Sequence, residues 1–210
     1  MEKLDLKKEL KHLYTPSARA VALVDVPRFN FVMIDGSIEP GQGPGTSPLF
    51  QENLGALYGA AYTLKFMVKK RAVDPVDYPV MGLEGLWWVE DGHFDINVKD
   101  NWFYTVMILQ PGLVTAELFA EALVQMRKKK GDQPAFARLR LEAFTEGLCM
   151  QVMHIGPYAD EPATVARMDA FAAENGYAQT GKHHEIYLGN PLKGDQSRMK
   201  TILRHPIQPM

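Results

Sequence analysis

The chain has 210 residues, 46% of them hydrophobic and 23% charged, with a formal net charge of −2. That balance supplies ample material for a packed core and excludes a fibrous or extensively disordered architecture. The charge gives no basic face for nucleic-acid phosphates, and the single cysteine, Cys149, excludes an intramolecular disulfide and a multi-cysteine metal site.

Residues 1–27 read as a polar N-terminal segment. Met1 to His12 alternates charge with leucine, which is neither the apolar core of a secretory signal nor a bilayer span, so a cytoplasmic location is expected. Arg28 to Ile38 is aromatic and β-branched and predicts a strand. It runs into a Gly/Pro-rich loop, Glu39 to Pro48, whose Gly41-Gln42-Gly43-Pro44-Gly45 lacks the ending of a phosphate loop and reads as a flexible rim. Phe50 to Lys70 carries apolar residues at helical spacing. Its Tyr58 and Tyr62, at i and i+4, read first as core, with Tyr58 kept as a candidate ligand contact. Val80 to Val89 and Trp102 to Gln110 predict two strands, with turns at Glu90-Asp91-Gly92 and around Lys99-Asp100-Asn101.

Thr115 is placed to cap a helix that Lys128, Lys129 and Lys130 close before Gly131, so the lysine run is a helix ending rather than a nucleic-acid patch. Arg138 to Thr145 and Leu148 to Ile155 predict a hairpin around Glu146-Gly147. A helix from Glu161 to Asn175 follows, stopped by Gly176. Two more strands are predicted, His183 to Leu188, closed by Gly189-Asn190-Pro191, and Met199 to Arg204, closed by Pro206.

The order strand, helix, strand, strand therefore occurs twice, over 28–112 and 138–210, joined by a linking helix within 113–137. The copies echo each other: Val32-Met33-Ile34-Asp35-Gly36 against Val152-Met153-His154-Ile155-Gly156, and Glu84-Gly85-Leu86-Trp87 against Glu185-Ile186-Tyr187-Leu188. Such self-similarity is the mark of a duplicated module.

The segment His154-Ile155-Gly156-Pro157-Tyr158, followed after a helix by His183-His184-Glu185-Ile186-Tyr187-Leu188-Gly189-Asn190-Pro191, resembles the GyrI-like small-molecule-binding domain family. Leu83-Glu84-Gly85-Leu86-Trp87-Trp88 resembles its branch that stands alone, without a DNA-binding region. The likeness spans about Arg28 to Ile207. It implies an α+β fold of two pseudo-twofold-related strand-helix-strand-strand modules, with antiparallel sheets and a cleft between them forming one domain. It also implies an aromatic or polycyclic small-molecule ligand. Some stand-alone members hydrolyse the cyclopropane of DNA-alkylating compounds of the yatakemycin and duocarmycin class. Members of the wider family fused to helix-turn-helix regulators sense cationic aromatic drugs, and one namesake binds DNA gyrase.

Side chains alternate along a strand, so Glu185 and Tyr187 share one face and His184, Ile186 and Leu188 the other. Ile186 and Leu188 fit a helix-packed core, which leaves Glu185 and Tyr187 for the cleft. Burial raises a carboxyl pKa, so Glu185 is the candidate base towards water, with Tyr158 or Tyr104 as hydrogen-bond donor. Trp87 and Trp88 point to opposite sides, so one of them lines the cleft, and Glu84 is the candidate partner of Glu185. His183 and His184 diverge and no third ligand is obvious, so neither a metal nor a cofactor is expected. Three functional classes stay open: a detoxifying cyclopropane hydrolase, a non-catalytic binder that sequesters aromatic cations, and a gyrase-inhibitor-like interaction protein. In each the chain is a monomer or homodimer that touches no DNA and no membrane.

Overall fold

The computed structural model describes residues 1–90, 94, 101–189 and 195–210. In chain order the elements are β1 (Glu2–Lys3), α1 (Leu6–Glu9), α2 (Lys11–Tyr14), β2 (Ala22–Val26), β3 (Phe29–Ser37), α3 (Pro48–Lys69), β4 (Val76–Asp77), β5 (Glu84–Trp88), β6 (Phe103–Gln110), α4 (Ala116–Lys130), α5 (Pro134–Arg138), β7 (Arg140–Phe144), β8 (Gly147–Ile155), α6 (Glu161–Glu174), β9 (Tyr177–Gln179), β10 (His183–Tyr187) and β11 (Lys200–Pro209).

Local chemistry sets the helix ends. The Ser47 hydroxyl accepts the Phe50 N–H at 3.0 Å and Pro48 opens α3, where a missing N–H has no consequence. Leu57, Ala60, Ala61 and Leu64, at i, i+3, i+4 and i+7, are fully buried, and each leucine contributes roughly 1.5–3 kcal/mol. Thr115 caps α4 as anticipated, accepting the Leu118 N–H at 3.3 Å, and Gly131 ends it at φ +77°. Gly176, at φ +73°, follows α6.

The main sheet runs in the order β2-β8-β11-β10-β5-β6-β3-β7, with β9 added beside β11, and all its pairings are antiparallel. β1 and β4 form a separate parallel pair. The fold is α+β and duplicated: β3-α3-β5-β6 and β8-α6-β10-β11 occupy the two halves of the sheet, and β5 meets β10 at the seam.

Four features differ from the sequence reading. The expected hairpin is absent: β7 pairs with β3, while β8 pairs with β11 and β2. Val26 opposite Gly147 and Phe29 opposite Phe144 belong to one register, so residues 22–33 run antiparallel to 140–151 and tie the two halves together. Pro27, without an N–H, and Gly147, at φ +74°, stand at the corner of this bent ladder. β2, inside the segment read only as a polar N-terminal stretch, is thus a sheet strand. β11 also runs through Pro206 to Pro209, the Pro206 carbonyl accepting the Thr180 N–H at 2.8 Å. The strand expected over 80–89 contracts to β5. The turns at Glu90-Asp91-Gly92 and Lys99-Asp100-Asn101, and the closing Gly189-Asn190-Pro191, fall mostly outside the described residues.

The fourth difference concerns the faces. Both α3 and α6 pack on the face that carries Glu185: Asn53 of α3 reaches the Tyr104 hydroxyl, and Met168 and Ala172 of α6 pack with Met150, Val152 and Leu203. The Ile186 face is covered instead by the N-terminal segment, with Leu13 and Tyr14 in the core.

Candidate functional site

Residues directly opposite each other in an antiparallel ladder share a face. Glu185 lies opposite Gly85, His183 opposite Trp87, and Trp87 opposite Tyr104, so these side chains emerge together at the seam, between α3 and α6. Gly85 is required here. A Cβ would lie 2.8 Å from Trp87 Nε1 and 3.2 Å from the Tyr187 hydroxyl, because the Trp87 indole N–H donates to that hydroxyl at 2.9 Å directly over the glycine. Gly85→Ala is therefore expected to break this bridge and cost about 1–3 kcal/mol by overpacking, read as a shift of the urea midpoint.

Aromatic rings surround the carboxylate. Tyr158 meets Tyr187 edge-on at 6.1 Å, Trp87 contacts Phe50, Trp102 and Tyr104 at 5.6–5.9 Å, and Phe94 stacks on His183 at 5.2 Å. Glu185 itself is 5% exposed. His183 Nε2 faces Glu185 Oε1 at 3.1 Å, and His183 Nδ1 faces His205 Nε2 at 2.7 Å. Between the two imidazoles one nitrogen donates and the other accepts, so the tautomers of His183 and His205 are coupled. Burial, followed by the charge of Glu185, raises both the Tyr158 and Tyr187 phenols, which therefore remain hydrogen-bond donors at neutral pH.

A second carboxyl stands behind Glu185. Glu161, in the first turn of α6, is 0% exposed. Burial, and then the negative charge of Glu185, push its pKa up to about 10. The donor atoms of Glu161, His183 and Glu185 lie within 4.8 Å of one another, and these are the described groups that could approach one cation together.

Of the residues singled out from sequence, the structure brings Glu185, Tyr187, Tyr158, Trp87 and Tyr104 to this one region. Tyr104 is buried, its hydroxyl taken by the Asn53 amide at 2.9 Å, which leaves Tyr158 as the half-exposed phenol beside Glu185. Three others lie elsewhere. Glu84 is on the reverse face, accepting from the Tyr14 hydroxyl at 2.6 Å and facing His184 Nε2 at 3.1 Å, so it cannot couple to Glu185 as a partner across one groove. Trp88 also points to the reverse side, stacked on Phe103 at 6.0 Å with the Lys182 ammonium 3.1 Å from its ring centroid. It lines a separate open groove of about 520 Å³ shared with Asp35, Arg138 and Arg140. Tyr58 lies on the outer side of α3, 36% exposed and stacked with Tyr62 rather than buried in the core.

The sequence reading missed Glu161, and it missed the His183–His205 pair as part of the site. Glu161 follows Tyr158 by three residues, but an acid in a first helical turn reads equally as a complement to the helix dipole.

Fold and candidate site together describe a duplicated α+β domain with a buried acidic and aromatic cluster at its seam. The chain belongs to the GyrI-like small molecule binding domain family, whose model matches residues 19–207. It is similar to an uncharacterized conserved protein from Listeria innocua, with 40% identity and a TM-score of 0.87 over 98% of this chain and 100% of the other. It is also similar to two hydrolases from Listeria innocua. One has 38% identity and a TM-score of 0.85 over 99% of this chain, the other 37% and 0.82 over 98%, each covered in full. None of the curated proteins matches. Among the described residues no helix is long and apolar enough to cross a membrane.

Proposed function

We propose that this protein is a detoxifying hydrolase that opens the cyclopropane ring of electrophilic polycyclic compounds. The observation that supports it is a single buried carboxylate, Glu185, held by His183 at 3.1 Å and walled by Tyr158, Tyr187 and Trp87. The flat rings suit a flat substrate, and desolvation strengthens the interaction of the carboxylate with an electron-poor centre. Glu185 takes a proton from water as its oxygen bonds to the ring carbon. The strained carbon–carbon bond breaks, and its electron pair passes to the substrate's conjugated acceptor. Tyr158, kept protonated, donates a hydrogen bond at the same place. The resemblance to chains named as hydrolases supports the reaction class. In this reading the protein works in the cytoplasm, as a monomer or homodimer, without metal, cofactor or DNA contact.

The test is incubation with a cyclopropane-bearing alkylator, with the hydrated, ring-opened product followed by mass spectrometry. Glu185→Gln is expected to lower the rate about 10²–10⁴-fold. Saturable binding of an aromatic cation without any product would replace this reading with sequestration, and turnover indifferent to Glu185→Gln would remove the glutamate from the chemistry.

A further inference from the structure

A cation site needs donors that converge from more than one element, and β10 supplies the first two. His183 and Glu185, at i and i+2, share a face of the strand, with His183 Nε2 3.1 Å from Glu185 Oε1. The third donor comes from the first turn of α6. Glu161 is wholly buried, and among the described residues neither of its oxygens has a hydrogen-bond partner. Donor atoms of Glu161, His183 and Glu185 all lie within 4.8 Å of one another. An acid so placed, desolvated beside a second carboxylate, has to be offset by a proton or by a cation.

The surroundings of His183 suit a metal-binding imidazole. Its Nδ1 faces His205 Nε2 at 2.7 Å, and with Nδ1–H donated there the Nε2 lone pair is directed at the two acids. Phe94 stacks on the ring at 5.2 Å and holds its plane. His154 of β8 takes no part, since its ring nitrogens face the Thr164 hydroxyl and the Pro157 carbonyl.

We propose that Glu161, His183 and Glu185 form a binding site for one divalent transition-metal ion of the zinc class. The two carboxylates balance its charge, and the imidazole favours such an ion over calcium or magnesium, which prefer oxygen donors alone. Three protein donors leave the remaining coordination to water. The proposal goes beyond the ring-opening reading, which uses Glu185 free of metal: a carboxylate engaged with the ion is a poorer base, so the ion competes with that role.

The test uses the full chain, stripped with EDTA and dialysed at neutral pH. Zn²⁺ is titrated by calorimetry and Co²⁺ by its visible absorption, into wild type, Glu161→Gln, Glu185→Gln, His205→Ala and, as an exposed-histidine control, His12→Gln. Wild type is expected to bind one equivalent, and each glutamine variant at a donor position to lose about 100-fold in affinity or more. His205→Ala, which removes the partner of Nδ1, should lose about tenfold, and His12→Gln nothing. Saturating Zn²⁺ should also raise the Tm of wild type and leave that of Glu161→Gln unmoved, the cooperative melt showing that the variant is folded. No uptake by wild type, or uptake that Glu161→Gln leaves unchanged, would overturn the proposal, the latter being an ion held adventitiously at the surface. These titrations contain no organic substrate, so their failure leaves the ring-opening reading standing, and absence of ring opening leaves the metal site standing.

Discussion

Arg204→Met is expected to destabilise the protein by about 3–5 kcal/mol, because it leaves buried charge without its partner. The Arg204 side chain is buried on the face opposite Glu185, where Nε and Nη2 donate to Gln151 Oε1 at 3.1 and 3.0 Å, Nη2 donates to the Leu13 carbonyl at 2.9 Å, and Nη1 meets Glu146 Oε2 at 3.3 Å. Glu146 in turn faces His184 Nδ1 at 2.9 Å, and His184 Nε2 faces Glu84. With a carboxylate at each ring nitrogen, His184 is an imidazolium: burial alone would lower its pKa, but Glu146 and then Glu84 raise it to about 9. Two carboxylates and two cations thus cancel inside the protein, and removing one cation strands the rest. The variant also loses one of the bonds that hold the N-terminal segment, so urea unfolding should report a lower midpoint and limited proteolysis a faster cut near Leu13. Adding Glu146→Gln to Arg204→Met should recover part of the loss, since the orphaned charge disappears with it. A loss under about 1 kcal/mol would mean that water replaces the guanidinium without penalty.

This network also marks where sequence reading stops. The elements were legible wherever local chemistry decides them: Ser47-Pro48 and Thr115 for helix starts, Gly131 and Gly176 for stops, and alternating residues for β3, β6 and β10. Pairing was not legible locally. Glu146-Gly147 looks like a hairpin turn, yet its flanking strands separate because the continuous register with residues 22–33 buries both, a choice made by contacts more than a hundred residues apart. Alternation places Glu185 and Tyr187 on one face, the family motif adds Tyr158, and in the fold the three are neighbours. The echo between the modules misplaced Glu84 by one residue: the position opposite Glu185 is Gly85, and a shift of one along a strand moves a side chain to the other face. Glu161 carried no pattern of its own, since its significance comes from depth and from lacking a partner, neither of which is a property of sequence.

Glu161→Gln is expected to raise stability at neutral pH by about 3 kcal/mol, a gain from removing an acid in the ligand site. In the unfolded chain Glu161 has an ordinary carboxyl pKa near 4.5, and folding raises it to about 10. The sign follows from proton binding: the folded state holds a proton that the unfolded state releases, so this contribution is complete below about pH 4.5 and is lost as pH climbs towards the folded value. At pH 7 about 2.5 units of that span have been crossed, and each unit is worth about 1.4 kcal/mol. His184 works in the same direction over a narrower window, its contribution complete below its ordinary value of 6.5 and lost as pH rises through about 9. Urea unfolding from about pH 5 to pH 9 should therefore show wild type losing stability throughout, and Glu161→Gln losing it only in the upper half, where His184 titrates. Identical slopes for the two proteins would mean that Glu161 is already ionised when folded. A flat upper half in the variant would instead show that folded His184 releases its proton together with the unfolded chain, with no upward shift on folding.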